Sequence, residues 1–214
     1  MYKRQLIEGF HNFKQTYFLK ERQYFESLEK AQNPKTLVVA CCDSRVDPAI
    51  LLHCKPGDLF VIRNVAALVP AVTQASNPCS VMSAIEYGVK HLNVEHIVVM
   101  GHSHCGGIHG LMTPESIAGE TYIQDWVSIA SPALERLQAM TGDEDEKTRS
   151  RHCEEGAVLI SLDNLLSYPW IAERVKNGQL KLHALYYDLS EGNLYRFSPD
   201  SEDFELLFHT IENP

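Results

Sequence analysis

The sequence predicts an α/β fold: an open, mostly parallel sheet of about four strands with a C-terminal antiparallel edge strand, flanked by helices. Four short apolar runs rich in β-branched residues predict the parallel strands, at 36–41, 59–63, 96–101 and 180–187. None of these runs alternates polar and apolar residues, which is typical of strands covered on both faces. Helical periodicity before and between the runs predicts the covering layers.

The chain before the first strand predicts an N-terminal helical arm over residues 1–31. Leu6, Phe10, Phe13 and Tyr17 recur at helical spacing, and a second amphipathic helix follows after a break. An arm with this many aromatic side chains needs a surface to cover, either on its own domain or on a second subunit. We expect self-association as a dimer or a higher oligomer, with residues 1–214 forming a single domain.

The segment between the second and third strands predicts a crossover helix. Asn77 is a typical N-cap residue, and Pro78 suits the first helical position. Further helices are predicted over residues 123–140, 154–166 and 171–176. The polar stretch at 141–151 predicts a solvated connection, and Glu191-Gly192 predicts the turn of a C-terminal hairpin.

Composition excludes two classes of function. The chain has 214 residues and a formal net charge of -9, so it offers no basic field to nucleic acid or anionic lipid. No apolar run reaches the ~20 residues that span a bilayer, and the N-terminus lacks the apolar core of a signal peptide. Six cysteines are few for a disulfide scaffold of this length, so we expect reduced thiols. We therefore expect a cytoplasmic protein with no transmembrane segment and no nucleic-acid partner.

Metal-binding side chains follow two of the predicted strands. Cys41 ends the first strand, and His102 and Cys105 follow the third. Because neighbouring parallel strands lie ~5 Å apart and end at the same edge of a sheet, these side chains can converge on one ion. Two thiolates and an imidazole suit Zn²⁺, and three protein ligands leave a fourth position open, as in catalytic zinc sites.

At these residues the sequence resembles the β-class carbonic anhydrases, in their plant-like branch. The resemblance covers nearly the whole chain and is carried by CCDSRVDP (41–48), PGDLFVIRNVAALVP (56–70), AIEYGVKHL (84–92), GHSHCGG (101–107) and HCEEGAVLISLDNLLSYPW (152–170). It implies a zinc enzyme that hydrates CO₂ reversibly to bicarbonate and a proton through a zinc-bound hydroxide. Cys41, His102 and Cys105 would be the zinc ligands.

The resemblance also implies roles for residues around the ion. Asp43 would accept a hydrogen bond from the hydroxide, and Arg45 would clamp the Asp43 carboxylate through a bidentate pair. The family's substrate-pocket positions match Gln32, Phe60, Val65 and Tyr87. Of these, Tyr87 could reach the site across a subunit boundary. Gly106, directly after the last ligand, would offer its backbone N–H to an anion at the start of a helix.

A second branch of the family holds a regulatory bicarbonate with a Trp, an Arg and a Tyr. In this sequence Val38 stands at the Trp position, whereas Arg63 and Tyr187 match the other two. We therefore expect no such regulatory site, and a zinc ion whose fourth position stays open to water.

Two other functions remain open at the level of sequence. A hydrolase of CS₂ or COS would use the same ion and the same Asp43–Arg45 pair. A catalytically weak subunit that binds bicarbonate within a larger assembly would keep the fold but would not need an open zinc position. The complete ligand set favours an enzyme over such a scaffold.

Overall fold

A computed structural model describes residues 2–75, 78–140, 142 and 144–207 of the chain, which divides into two compact units, Met1–Asn33 and Pro34–Pro214. In the first unit, helix α1 (Tyr2–Phe13) leads through a π-helical turn to helix α2 (Arg22–Lys30). The rings of Phe13 and Phe25 join the two helices edge to face, with centroids 5.9 Å apart. The predicted helical arm is therefore confirmed, and the single domain over 1–214 stays a prediction.

One six-stranded sheet organises the second unit. Its strands are β1 (Thr36–Cys41), β2 (Leu59–Asn64), β3 (His96–His102), β4 (Lys181–Asp188), β5 (Asn193–Ser198) and β6 (Asp203–Leu206). They lie in the order β2-β1-β3-β4-β5-β6; the first four are parallel, and β5 and β6 are antiparallel. The predicted fold class is confirmed, with β6 as an additional edge strand. Its four residues bury only Phe204, so no apolar run marks it in the sequence.

Helices flank the sheet. They are α3 (Pro48–Leu51), α4 (Ser80–Lys90), α5 (Gly106–Met112), α6 (Thr121–Val127), α7 (Ser131–Ala139), α8 (Glu146–Leu166) and α9 (Pro169–Lys176). Alternate residues of β1 belong to separate buried clusters: Leu37 packs in one that includes Ile85 of α4, and Val38 in another. This two-sided burial explains why the parallel strands are continuously apolar. Within the described ranges, every helix is too short or too polar to cross a membrane.

The helix starts differ most from the sequence predictions. Helix α4 begins at Ser80, and Cys79 before it has an extended backbone, so the predicted start at Pro78 is wrong. Asn77, its predicted cap, lies outside the described residues. Helix α8 starts eight residues earlier than predicted, because the Asp145 carboxylate accepts the Thr148 N–H at 2.7 Å and caps the helix there. Much of the predicted connection at 141–151 is therefore helical.

Two later predictions have different outcomes. The helical stretch predicted over 123–140 is interrupted by a 3₁₀ turn at Ser128–Ala130, which separates α6 from α7. Pro132, which has no N–H to donate, lies in the first turn of α7, where prolines are tolerated. The predicted hairpin between β4 and β5 is confirmed, with Glu191-Gly192 in its turn and Gly192 at φ 72°.

Candidate metal centre

Three metal-binding side chains meet at the carboxyl ends of two neighbouring strands. Cys41 is the last residue of β1, His102 is the last residue of β3, and Cys105 immediately precedes α5. Because β1 and β3 pair in parallel, both strands end at the same edge of the sheet. The three ligand atoms lie within 4.8 Å of one another, and all three residues are buried. This cluster could hold one metal ion.

The hydrogen bonding of His102 leaves one ring nitrogen ready for a metal. Its Nδ1–H donates to the carbonyl oxygen of Ser103 at 2.9 Å, so Nε2 carries the free lone pair. Of the side-chain nitrogen and oxygen atoms in the described residues, His102 Nε2 is the one that is buried without a hydrogen-bond partner. An unpaired polar atom is costly to bury, and a metal ion would satisfy it. The donor set of two sulfurs and one imidazole fits zinc.

The two thiols of the cluster differ in how readily they ionise. A hydrogen bond from Cys105 lowers the pKa of Cys41 to about 4, and the same contact raises the pKa of Cys105. Backbone N–H groups of Asp43 and Ala66 also donate to the Cys41 sulfur, at 3.4 Å and 3.3 Å. Cys41 is therefore stabilised as a thiolate, which is the form that binds a metal.

A carboxylate held by an arginine lies beside the ligand cluster. Arg45 donates from Nε to Asp43 Oδ1 at 2.9 Å and from Nη2 to Oδ2 at 2.6 Å. These hydrogen bonds lower the pKa of Asp43 well below its usual range, so the carboxyl stays ionised. Asp43 Oδ2 lies 4.0 Å from His102 Nε2. The structure therefore brings the predicted pair to the predicted ligands.

Arg63 fixes the loop that carries Asp43. Its Nε donates to the carbonyl oxygen of Cys41 at 3.0 Å, and its Nη2 donates to those of Asp43 and Val46 at 2.7 Å and 2.9 Å. Its Nη1 contacts the Asp47 carboxylate at 3.2 Å. One guanidinium from β2 thus ties down the backbone of the loop after β1.

Glu154 is a residue of this site that the sequence analysis missed. It is buried on α8, where Oε1 accepts the backbone N–H of Cys105 at 3.0 Å and Oε2 accepts the Tyr186 hydroxyl at 2.7 Å. Burial raises the pKa of the Glu154 carboxyl. Two adjacent glutamates, Glu154 and Glu155, before an apolar helical run were the available signal.

Two of the predicted substrate-pocket residues lie near the ligands. Gly106 opens α5 directly after Cys105. Val65 packs so closely on Gly107 that a Cβ added there would meet Val65 Cγ1 at 2.6 Å. The carbonyl oxygen of Val65 accepts the Trp126 indole N–H at 2.8 Å, which fixes the backbone at this predicted substrate-pocket residue.

The other predicted pocket residues are placed differently. Phe60 pairs with Leu37, four residues before Cys41 on β1, so it lies about 13 Å along the strand from the ligand end. Tyr87 packs on Phe60, with ring centroids 6.1 Å apart. The second unit therefore does not bring this aromatic pair to its own ligand cluster. Gln32 is an exposed residue of the first unit.

Comparisons with known proteins point to one family. A family profile described as "Carbonic anhydrase" matches residues 36–194. Two Arabidopsis thaliana proteins are similar: beta carbonic anhydrase 5, chloroplastic (39% identical over 88% of this chain), and beta carbonic anhydrase 6, mitochondrial (40% over 94%). The chain spans 62% and 70% of the lengths of these two relatives.

Solved structures agree with this assignment. The beta-carbonic anhydrase CcaA superposes with a TM-score of 0.91 at 31% identity, over 96% of this chain and 100% of that chain. A tetrameric beta-carbonic anhydrase of Sordaria macrospora superposes with a TM-score of 0.77 at 28% identity, over 91% and 96% of the two chains.

The expected cytoplasmic location is wrong by these comparisons, because the two Arabidopsis relatives are named as chloroplastic and mitochondrial proteins. The reason is physical: signals for a compartment are read separately from the folded domain, so composition and core pattern do not carry them. The profile match, the relatives and the superposed structures instead concern the folded region that carries the Cys-His-Cys cluster. The chain belongs to the β-carbonic anhydrase family.

Proposed function

We propose that this protein is a zinc-dependent carbonic anhydrase that catalyses the reversible hydration of CO₂ to bicarbonate and a proton. One observation carries the proposal: the donor atoms of Cys41, His102 and Cys105 converge beside the bidentate Asp43–Arg45 pair. The carbonic anhydrase names of the relatives support it.

Cys41, His102 and Cys105 would hold the zinc ion. When bound, zinc would act as a Lewis acid and make a water molecule easier to deprotonate. Two thiolates and a neutral imidazole cancel its double positive charge, so this ligand set makes a weaker Lewis acid than three histidines do. The protein's own polar groups must therefore orient the reacting water accurately.

Asp43 supplies this orientation. Its carboxylate, kept ionised by Arg45, accepts a hydrogen bond from the attacking water and directs the water's free lone pair towards the carbon of CO₂. Val65 forms part of the apolar wall for CO₂, and the N–H of Gly106 donates to an oxygen of the product bicarbonate. The released proton passes to solvent.

The remaining pocket residues would act across a subunit boundary. Phe60 and Tyr87 lie away from their own chain's ligands, and Tyr87 is 45% exposed, so its ring is available to a second copy. We infer self-association as a dimer or higher oligomer in which this pair lines the partner's site. The tetrameric Sordaria relative supports the inference.

Two further expectations from the sequence belong to the proposal. Gln32 would donate a hydrogen bond to bicarbonate. Residues 1–214 would form one domain with a helical arm over 1–31.

Zinc analysis and stopped-flow CO₂ hydration, applied to two cysteine variants, test the proposal. Cys105→Ser removes a ligand, so we expect loss of zinc and of hydration activity. Cys42→Ser changes an exposed thiol next to Cys41, and it should retain about one zinc per chain and the activity. Stoichiometric zinc in the Cys105→Ser protein would refute the ligand set.

The same assay separates the alternative functions. If wild-type protein binds zinc but leaves CO₂ hydration at the uncatalysed rate, the result favours a bicarbonate-binding subunit over an enzyme. If it turns over COS or CS₂ with a higher kcat/KM than CO₂, the result favours the hydrolase. We expect CO₂ to be the preferred substrate.

A further inference from the structure

The turn that follows β2 has an unusual backbone. Ala66 and Ala67 are consecutive residues with left-handed dihedral angles, at φ 62° and φ 55°. Neither is a glycine, and each side chain costs free energy in this conformation because its Cβ crowds the backbone. Both residues are buried. Such strain persists only where the surrounding structure enforces it, and it often serves a functional site.

The side chain of Asn64 closes this turn by binding both backbone polar groups of Leu68. Its Nδ2 donates to the carbonyl oxygen of Leu68 at 2.9 Å, and its Oδ1 accepts the Leu68 N–H at 2.8 Å. The backbone carbonyl oxygen of Asn64 also accepts the N–H of Cys42 at 2.9 Å. One amide side chain thus closes residues 64–68 into a loop that is joined to the ligand-bearing end of β1.

The closed turn directs one backbone group at the metal cluster. The Ala66 N–H donates to the Cys41 sulfur at 3.3 Å, although the two residues are 25 positions apart. The other N–H on this sulfur comes from Asp43, two residues along the same loop. The contact from Ala66 therefore depends on the conformation of a separate segment.

We propose that Asn64 is a positioning residue of the metal centre: it holds the strained turn so that the Ala66 N–H donates to the Cys41 thiolate. This inference rests on the proposed function, in which Cys41 ligates zinc. An N–H that donates to a ligating sulfur draws negative charge away from it. In a site where two thiolates cancel the charge of the ion, this withdrawal leaves the ion a stronger Lewis acid.

Cobalt(II) substitution tests the inference by a spectroscopic readout. The energy of the sulfur-to-cobalt charge-transfer absorption falls when the thiolate loses a hydrogen bond, because its electrons are then held less tightly. We expect Asn64→Ala to bind cobalt with wild-type stoichiometry, to shift this band to longer wavelength, and to lower kcat/KM for CO₂ several-fold in the zinc form. An unshifted band in Asn64→Ala would overturn the inference.

Asn164→Ala is the matched control. Asn164 Nδ2 donates to the carbonyl oxygen of Val69 at 2.8 Å, so this variant also removes an amide hydrogen bond to the segment after β2. It leaves the Asn64–Leu68 closure in place, and we expect lower thermal stability with an unshifted band. An equal shift in both variants would reduce Asn64 to a general structural role and overturn the inference.

A rescue experiment and a wild-type measurement complete the test. The double variant Asn64→Ala/Ala67→Gly lacks the Asn64 hydrogen bonds to Leu68, but its glycine relieves the left-handed backbone strain at residue 67. The turn should therefore form more readily than in Asn64→Ala, and the band should move back towards its wild-type position. Should Asn64→Ala not fold, NMR coupling between cadmium-113 and the Ala66 amide proton in wild-type protein reports the bond directly, and its absence would refute the inference. A wild-type cobalt protein with no sulfur band would instead contradict the proposed ligands.

Discussion

At the scale of single residues, the chemistry of Asp43 depends directly on its neighbour Arg45. Both oxygens of its carboxylate accept hydrogen bonds from the Arg45 side chain, and Oδ1 also accepts the Arg45 backbone N–H at 2.9 Å. Because the pKa of Asp43 is lowered by these bonds, the carboxylate persists far into the acid range. Asp43 is therefore ionised at neutral pH, as its proposed role as a hydrogen-bond acceptor requires.

Asp43→Asn tests that function. The amide keeps the size of the side chain but loses the negative charge and one of the two acceptor oxygens, so the attacking water is less well oriented. We expect full zinc content and a fall in kcat/KM of roughly 10²-fold, measured by stopped flow. Asp47→Asn, which alters a nearby carboxylate that caps α3, is the control and should keep most of the activity. Wild-type turnover in Asp43→Asn would contradict the orienting role.

At the scale of secondary-structure elements, two helices end with the same hydrogen-bond pattern but different residues. After α3, Cys54 N–H donates to the carbonyl oxygen of Ala49 at 2.9 Å, around His53 at φ 51°. After α9, the Gln179 N–H donates to the carbonyl oxygen of Arg174 at 2.9 Å, and Gly178 between them has φ 70°. Glycine is the favoured residue at such a position, so α9 ends without this backbone strain and α3 ends with it.

Introducing glycine at the end of α3 and removing it from the end of α9 should change the free energy of unfolding in opposite directions. His53 is exposed, so His53→Gly mainly relieves the left-handed strain and should raise the free energy of unfolding by about 0.5–1 kcal/mol. Gly178→Ala introduces that strain, with open space around the new Cβ, and should lower it by about 1 kcal/mol. Denaturant unfolding of both variants measures the changes. Two changes of the same sign would contradict the helix-end argument.

The strand ends opposite the metal cluster hold a pair of histidines. His96 Nδ1 lies 3.0 Å from His183 Nε2, a hydrogen-bonding distance. Burial lowers the pKa of His183 below its usual 6.5, and His96, Lys181 and Arg196 add to the effect. Protonation of His183 is therefore less favourable in the folded chain than in the unfolded chain, so this histidine makes the fold less stable below pH 6.5 than above it.

The pH dependence of unfolding tests this pair. As pH falls below about 6.5, the unfolded chain takes up a proton at His183 before the folded chain does, so the free energy of unfolding falls. We expect a smaller fall in His183→Gln than in wild type, from urea midpoints at pH 5, 6, 7 and 8. The difference between the two proteins isolates His183 from other groups that titrate. His91→Gln is the control, and identical pH profiles for wild type and His183→Gln would refute the argument.

At the scale of the whole molecule, the proposed sharing of sites between subunits predicts complementation. Tyr87→Ala lacks the donated ring and Cys105→Ser lacks zinc, so each homo-oligomer should be impaired. In a mixed dimer, the Tyr87→Ala chain binds zinc and receives an intact Tyr87 from its partner. After the two chains are unfolded and reassembled together, about a quarter of the sites should be complete by random pairing. Activity no greater than the average of the two separate proteins would contradict site sharing.

Elements formed by local residue patterns were predictable from the sequence, whereas elements that depend on distant partners were not. Continuous apolar runs predicted β1 to β4 correctly, because burial on both faces leaves its mark in each strand's own residues. The start of α8 was misplaced because the Asp145 cap lies in a charged stretch that resembles solvated loop. Strand β6 was missed because its pairing depends on β5 rather than on its own apolar content.

The sequence by itself determined the class of fold, the three residues that could hold a metal and the Asp43–Arg45 pair, since these depend on residue identity at the ends of strands. Only the tertiary structure decided which distant groups meet there: Glu154 from α8 on Cys105, Arg63 on the loop after β1, and the Asn64 turn on the Cys41 sulfur. These contacts join segments that approach each other only when the sheet and its helices pack. Residue type and local spacing fix what a side chain can do, whereas packing fixes which partner it finds.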